Sequence, residues 1–317
     1  MKKDKKEEWS DKYHKELLIE QRKHLWLPDT IEKLAEWFGF KHGMTVVDVG
    51  CGLGYLGYLY WQYFGKGGCY IGVDISQSLM KDAGKEARTW AKGGKAYFYA
   101  GDVFKLPIPD NCADCVMCQI LLIHLKSPKK ALSEMIRVTK PRGLIVCKEP
   151  NTFSELFPLG YSSLPEASIE EKLLGIKIAF IQHKGKKKLG KGDFSIGNKV
   201  PILMDELGLE DIGVRINDKV NLLLPPYKGG IQQNRIKRMK KWMKDKELLE
   251  TWRKKTEEVF IAGGGDPEDF KRYIERGDRV RKIYKKQIEN EELKVCSVPI
   301  IYISKGRKPT SRKVAKM

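Results

Sequence analysis

The chain has 317 residues, 41% of them hydrophobic and 10% aromatic, enough for one large or two modest domains with a buried core, and wholesale disorder is excluded. The net charge is +19, with a positive surplus of 6 in residues 1–150 and 13 in residues 151–317. A basic second half suits a phosphate-bearing partner, but its lysines sit on helical repeats mixed with glutamate, the pattern of a solvated surface, without the interleaved aromatics of a single-strand-binding groove.

Residues 15–38 read as one or two amphipathic helices, with Leu17, Leu18, Leu25, Ile31, Leu34, Trp37 and Phe38 at helical spacing. His42-Gly43 breaks that pattern. Short apolar runs at 45–49, 69–74, 95–100, 114–118 and 143–148 then alternate with helical patterns at 53–64, 77–91 and 128–138. Strands and helices alternating at this spacing specify an α/β, doubly wound parallel sheet covered on both faces. Residues 152–192 are rich in Gly, Pro and Lys, with a helix near 169–181. A helix at 200–207 and a strand at 211–224 resume the α/β order until Pro225-Pro226. Residues 231–292 read as helical and highly charged, broken once at Gly263-Gly264-Gly265-Asp266-Pro267. A strand at 294–304 precedes a basic tail.

No run of about 18 apolar residues appears, which reads against a membrane span. The charged stretch 1–8 has no apolar run behind it and reads against a secretory signal. Seven scattered cysteines, five of them in apolar strand-like runs, read as free thiols of a reducing cytoplasm.

The strongest local signal is Asp48-Val49-Gly50-Cys51-Gly52-Leu53-Gly54, a buried strand running into three alternating glycines and then a helix. Side chains at those glycines would block a ligand lying on the turn, and the turn itself can require positive φ. The helix after it offers free N–H groups and a positive dipole end. Asp48 suits a cationic ligand group, an amine or a sulfonium, better than a pyrophosphate. Gly52-Leu53-Gly54-Tyr55-Leu56-Gly57 also satisfies the dinucleotide pattern G-x-G-x-x-G, so the loop alone leaves both readings open. Asp74, closing the second strand 20 residues after Gly54, can accept both hydroxyls of a ribose, which either ligand carries. Asp102, after the third strand, can take an adenine amino group or simply cap its own turn.

The series resembles the class I S-adenosylmethionine-dependent methyltransferases, and within them is similar to the group containing the quinone-biosynthesis methyltransferases. The matching residues are Asp48 to Gly54, Val73-Asp74, Gly101-Asp102-Val103 with Leu106-Pro107, Ala113-Asp114, Gln119 to Leu125, and Glu134 to Gly143. The resemblance covers about residues 40–150 and departs from the pattern at Arg142, usually glycine, and at Ile123, often the first histidine of a pair. It implies a seven-stranded Rossmann-like sheet whose last strand, 294–304, is antiparallel. It also implies S-adenosylmethionine as cofactor, with S-adenosylhomocysteine as product. The glycine loop Gly50, Gly52 and Gly54 would lie against the methionine part, Asp74 on the ribose, Ile75 beside adenine, Asp102 and Val103 on adenine, and Gln119 near the methionine and sulfonium.

Methyl transfer is an in-line displacement at sulfur, so alignment and desolvation dominate and a base is optional. Candidate bases are His124, past the fourth strand, and Glu149, past the fifth, both at the carboxyl edge where such folds bind ligands. His183, Tyr161, Tyr13 and Arg22 are lesser candidates. No metal is expected: in Cys112-x-x-Cys115-x-x-Cys118, the last two point to opposite faces of a strand. The run Gly185 to Gly192 lacks the order of a phosphate loop and reads as a mobile lysine-rich loop. Residues 235–255, with ten basic and three acidic residues, form a basic amphipathic helix whose Trp and Leu face packs inward.

The expected organisation is a helical cap at 1–40, a catalytic domain at 41–225 with an insertion over the site at 152–192, a helical lid at 226–293 hinged at Gly263–Gly265, and the final strand with a basic tail at 294–317. The expected function is a cytoplasmic S-adenosylmethionine-dependent methyltransferase with a small or medium-sized acceptor. The alternatives are an RNA methyltransferase, a nicotinamide-dependent oxidoreductase, against which Asp48 and the 114–143 series speak, and a non-catalytic S-adenosylmethionine-binding module.

Overall fold

The computed structural model describes residues 26–155 and 161–310. Tyr13, Arg22 and the tail lysines beyond 310 lie outside the described residues. The described chain divides into two compact units, one built from residues up to 150 with 195–218 and 301 onward, the other from 151–194 and 219–300.

The first unit is a seven-stranded sheet. Its strands are β1 (Thr45–Val49), β2 (Cys69–Asp74), β3 (Lys95–Ala100), β4 (Ala113–Gln119), β5 (Thr139–Pro150), β7 (Glu210–Ile216) and β10 (Ile301–Arg307), in the spatial order β3-β2-β1-β4-β5-β10-β7. β1 pairs in parallel with both β2 and β4, and β4 with β5, while β10 runs antiparallel to β5 and β7. The chain therefore leaves β1 toward β2 and β3, then returns to build β4 and β5 on the other side. The resulting switch point between β1 and β4 is the crevice in which doubly wound sheets bind ligands.

Around the sheet stand α1 (Pro28–Phe38), α2 (Tyr55–Phe64), α3 (Gln77–Trp90), α4 (Pro128–Val138) and α6 (Val200–Glu206). α1 begins with Pro28 at a position where no N–H is needed and stops at Gly39, whose φ of 71° closes the last turn. Ile31, Leu34, Ala35 and Phe38 recur at the spacing of one helical face, and all are buried. They meet Tyr60, Phe64, Val46, Met117 and Ile303 in the main core. Arg142 sits at φ 62°, so the usual glycine there reflects a left-handed turn.

The final strand begins at Ile301, later than expected. Residues 295–297 instead form β9, the middle of a three-stranded sheet with β6 (Tyr161–Ser162) and β8 (Asn221–Leu223) in the second unit. The expected strand 211–224 is likewise cut at Asn217, whose side chain accepts from Ile301 N at 2.7 Å while its N–H donates to Ile301 O.

In the second unit, α5 (Ile169–Lys188) packs on α8 (Lys246–Ala262) and α9 (Pro267–Glu289), with α7 (Gly230–Lys244) beside them. Ser168 and Glu171 cap α5 reciprocally. A second break, at Asp245, separates α7 from α8, and Asp245 caps α8 through Leu248 N at 2.9 Å. Gly263 is closely packed: a Cβ there would strike the Ile181 carbonyl oxygen, and one on Gly185 would strike that of Val259. These two glycines let α5 and the end of α8 approach backbone to backbone. The run from Gly185 makes its own contacts within the second unit. Gly185–Lys188 ends α5, Lys187 pairs with Asp193 at 3.2 Å and Lys191 with Glu258 at 3.0 Å. No helix among the described residues is long and apolar enough to cross a membrane.

Candidate functional site

Gly50, Gly52 and Gly54 hold φ values of 70°, 54° and 78°, a left-handed series in which side chains are strained. A Cβ on Gly50 would also lie 2.8 Å from Leu121 Cδ1, so the loop after β1 touches the loop after β4 across the switch point. Val73 O takes Gly50 N at 2.7 Å and Cys51 N at 3.1 Å. Asp74 braces the loop from the next strand, accepting Gly52 N on one oxygen and Ser76 N on the other, each at 3.0 Å. Burial pushes its carboxyl above the usual range, opposed by those backbone hydrogen bonds. Ile75 beside it is 41% exposed, an apolar face at the rim where a planar ring can lie. Asp102 is exposed and accepts Phe104 N at 2.9 Å, so the turn-capping role weighed from sequence is present; Val103 next to it is half-buried.

Asp48 faces inward. It is 1% exposed and accepts the Tyr70 hydroxyl at 2.6 Å, so its contact is with the core. Glu149 is also fully buried. One of its oxygens accepts Leu121 N and Leu122 N at 2.9 Å, and the other Ile123 N at 3.2 Å. Burial pushes its carboxyl up to about 7 against those three bonds. The carboxylate thus caps the 3₁₀ turn Leu122–His124, and its geometry is that of a brace for the loop. His124 is half-buried in that turn. Just before it, Ile120 is held at φ 52° with its N–H on Lys148 O at 2.9 Å. A β-branched residue in this region is a true outlier and costs of order 1–2 kcal/mol. Glu149 and Lys148 together hold the loop in a shape that its sequence resists.

Gln119, at the end of β4, accepts the Trp26 indole N–H at 3.0 Å. Tyr161 and His183 belong to the second unit; His183 lies edge-on to Phe153 and 3.5 Å from Asp193. Cys115 and Cys118 are both buried, and burial raises the Cys115 thiol far above its ordinary range. No metal-holding group of His, Cys, Asp and Glu exists among the described residues.

A family profile described as a methyltransferase domain matches residues 40–192, the stretch that carries the loop, the brace and the β4–β5 edge. Residues 40–192 thus carry a methyltransferase domain. An uncharacterised methyltransferase of Schizosaccharomyces pombe is 38% identical over 122 residues, 37% of this chain and 44% of the relative. A ubiquinone/menaquinone biosynthesis C-methyltransferase of Francisella tularensis is 35% identical over 127 residues, 39% of this chain and 48% of the relative. The matched stretch thus spans less than half the length of these curated relatives. A solved structure of a candidate methyltransferase from Bacillus halodurans has a TM-score of 0.50 at 17% identity, covering 89% of this chain and all of that one, a likeness of fold.

Within the methyltransferase domain, the structure brings Gly50, Gly52, Gly54, Asp74 and Ile75 together and ties Gln119 to Trp26. The sequence did not single out Trp26, Tyr60, Tyr70 or Lys148. Only Lys148 left a signal, a charge inside an apolar strand run.

Proposed function

We propose that the chain transfers a methyl group from S-adenosylmethionine to a small or medium-sized acceptor. The observation that carries this reading is the left-handed Gly50–Gly54 loop, braced by Asp74 at the switch point between β1 and β4. When bound, the donor supplies a methyl group already activated on cationic sulfur. The loop glycines leave room for the methionine part, and Asp74, already oriented by two backbone bonds, accepts from the ribose hydroxyls. Ile75 flanks adenine, Asp102 and Val103 bind its polar edge, and Gln119 lies at the methionine end. Asp48 contributes negative charge from beneath the loop. His124 is the candidate base; Glu149 acts by fixing the turn that presents it. The Francisella relative is named a C-methyltransferase of quinone biosynthesis, which puts carbon nucleophiles first among acceptors to assay. Seven free cysteines fit a reducing cytoplasm.

Calorimetry on the full chain tests the donor. S-adenosylhomocysteine should bind and NAD and NADP should give no heat; tight NAD binding would overturn the reading in favour of a dehydrogenase.

A further inference from the structure

Lys148 lies in the middle of the first unit's core with no exposed surface. Its Nζ donates to the Tyr60 hydroxyl at 2.5 Å, and sits 4.3 Å from the centre of the Trp26 ring and 5.7 Å from that of Phe38. An ammonium group so far from water needs such partners, and an indole face is the best aromatic one. The same indole donates its N–H to Gln119 Oε1 at 3.0 Å. Gln119 and Lys148 are also register partners across β4 and β5. The three residues close a short circuit: Lys148 beside Gln119 in the sheet, Trp26 over Lys148, and Trp26 bonded back to Gln119. An amide free to rotate presents either its oxygen or its nitrogen to a ligand. Here the indole takes the oxygen, so the NH₂ is left as the group facing elsewhere.

Resting on the methyltransferase reading, in which Gln119 meets the methionine end of the donor, we infer that Lys148 is a positioning residue. Its buried ammonium seats Trp26, and Trp26 fixes the orientation of the Gln119 amide for the donor. Trp26 is thereby more than a core residue, since its ring serves the cation and its N–H serves the site. Burial pushes the Lys148 amine down to about 7, opposed by Asp48 and Cys115. Charged and titratable groups that share this side of the sheet are Asp48 on β1, bonded to Tyr70 on β2, Cys115 on β4, Tyr60 on α2, Arg215 on β7, and Lys305 and Arg307 on β10. α1 offers the ammonium only the Phe38 ring. The seat is firm when Lys148 is protonated and loosens as pH rises through its folded value.

The test measures S-adenosylhomocysteine affinity by calorimetry on the full chain at pH 6.0 and 8.5, for wild type, Lys148→Met, Trp26→Phe and the double variant. Trp26→Phe keeps a ring, though a smaller one, over the ammonium and removes the N–H to Gln119. At pH 6.0 each single variant should bind about tenfold more weakly, as for the loss of one hydrogen bond to a polar ligand contact. The double variant should be no weaker than either single one, because all three break the same circuit. At pH 8.5 the wild type should approach Lys148→Met, a convergence that a purely structural lysine would not produce. Unchanged affinities, losses that multiply in the double variant, or a pH-independent ratio would overturn the inference while leaving the donor reading intact. Wild type that binds no S-adenosylhomocysteine would overturn both. Should Lys148→Met fail to fold, Trp26→Phe alone decides: affinity equal to wild type at pH 6.0 refutes the coupling.

Discussion

Replacing Lys148 by Met should make the protein more stable in acid and neutral solution and flatten its stability against pH. The amine falls from an ordinary 10.5 to about 7 on folding, burial being the main cause. Between those values the unfolded chain holds a proton that the folded chain has released, so stability rises with pH across that window. Each pH unit is worth about 1.4 kcal/mol, which puts the cost of the buried ammonium below pH 7 at up to roughly 5 kcal/mol. Methionine has nearly the same length and no charge, and so removes that cost. It also leaves the Tyr60 hydroxyl without its 2.5 Å partner, a loss of about 1–3 kcal/mol. The net expectation is a gain of about 2–4 kcal/mol at pH 6 that shrinks to nothing or reverses by pH 10. Urea unfolding of both proteins at pH 6, 8 and 10 measures it. Parallel pH profiles would refute the reasoning, because they would mean that Lys148 carries the same charge in the folded and unfolded chains.

Three further outcomes are expected. Asp74→Ala should weaken S-adenosylhomocysteine binding by roughly 1.5–3 kcal/mol, since it removes both the proposed ribose acceptor and the brace on Gly52 N; calorimetry with unchanged affinity would take Asp74 out of the site. Gly263→Ala forces a methyl group into the Ile181 carbonyl and should lower stability by about 1–3 kcal/mol, read as an earlier urea midpoint by circular dichroism. RNA should bind only weakly, with affinity that falls steeply with salt as counterions are released; selective binding that survives physiological salt would move RNA ahead of small acceptors.

The parts of this architecture that were legible are those whose cause is local. The loop at Gly50 to Gly54 announces itself because left-handed backbone needs glycine within a few residues. The strands β1, β4 and β5 announce themselves because burial on both faces writes continuous apolar runs. What was not legible depends on partners distant in sequence. Asn217 cuts an apparently continuous strand because its amide pairs with Ile301, 84 positions away. Glu149 looked like a base at a strand end, and only the fold reveals that three N–H groups converge on it. Gly263 reads as a hinge in a row of glycines, and only the fold shows how closely Ile181 packs against it. Lys148 is the sharpest case: it closes the apolar run 143–148, and nothing nearby in sequence announces that Trp26, Phe38 and Tyr60 enclose it.

Ile120 has a consequence for how the protein would evolve under different pressures. At φ 52° it occupies backbone space that asparagine or glycine enters with little penalty. A single substitution to asparagine therefore offers a gain of about 1 kcal/mol, close to the usual yield of a stabilising replacement. Selection for survival at high temperature alone should find that change early. Asparagine would also widen the gap between this conformation and its extended alternatives, so the loop from Gln119 to His124 would be held more firmly.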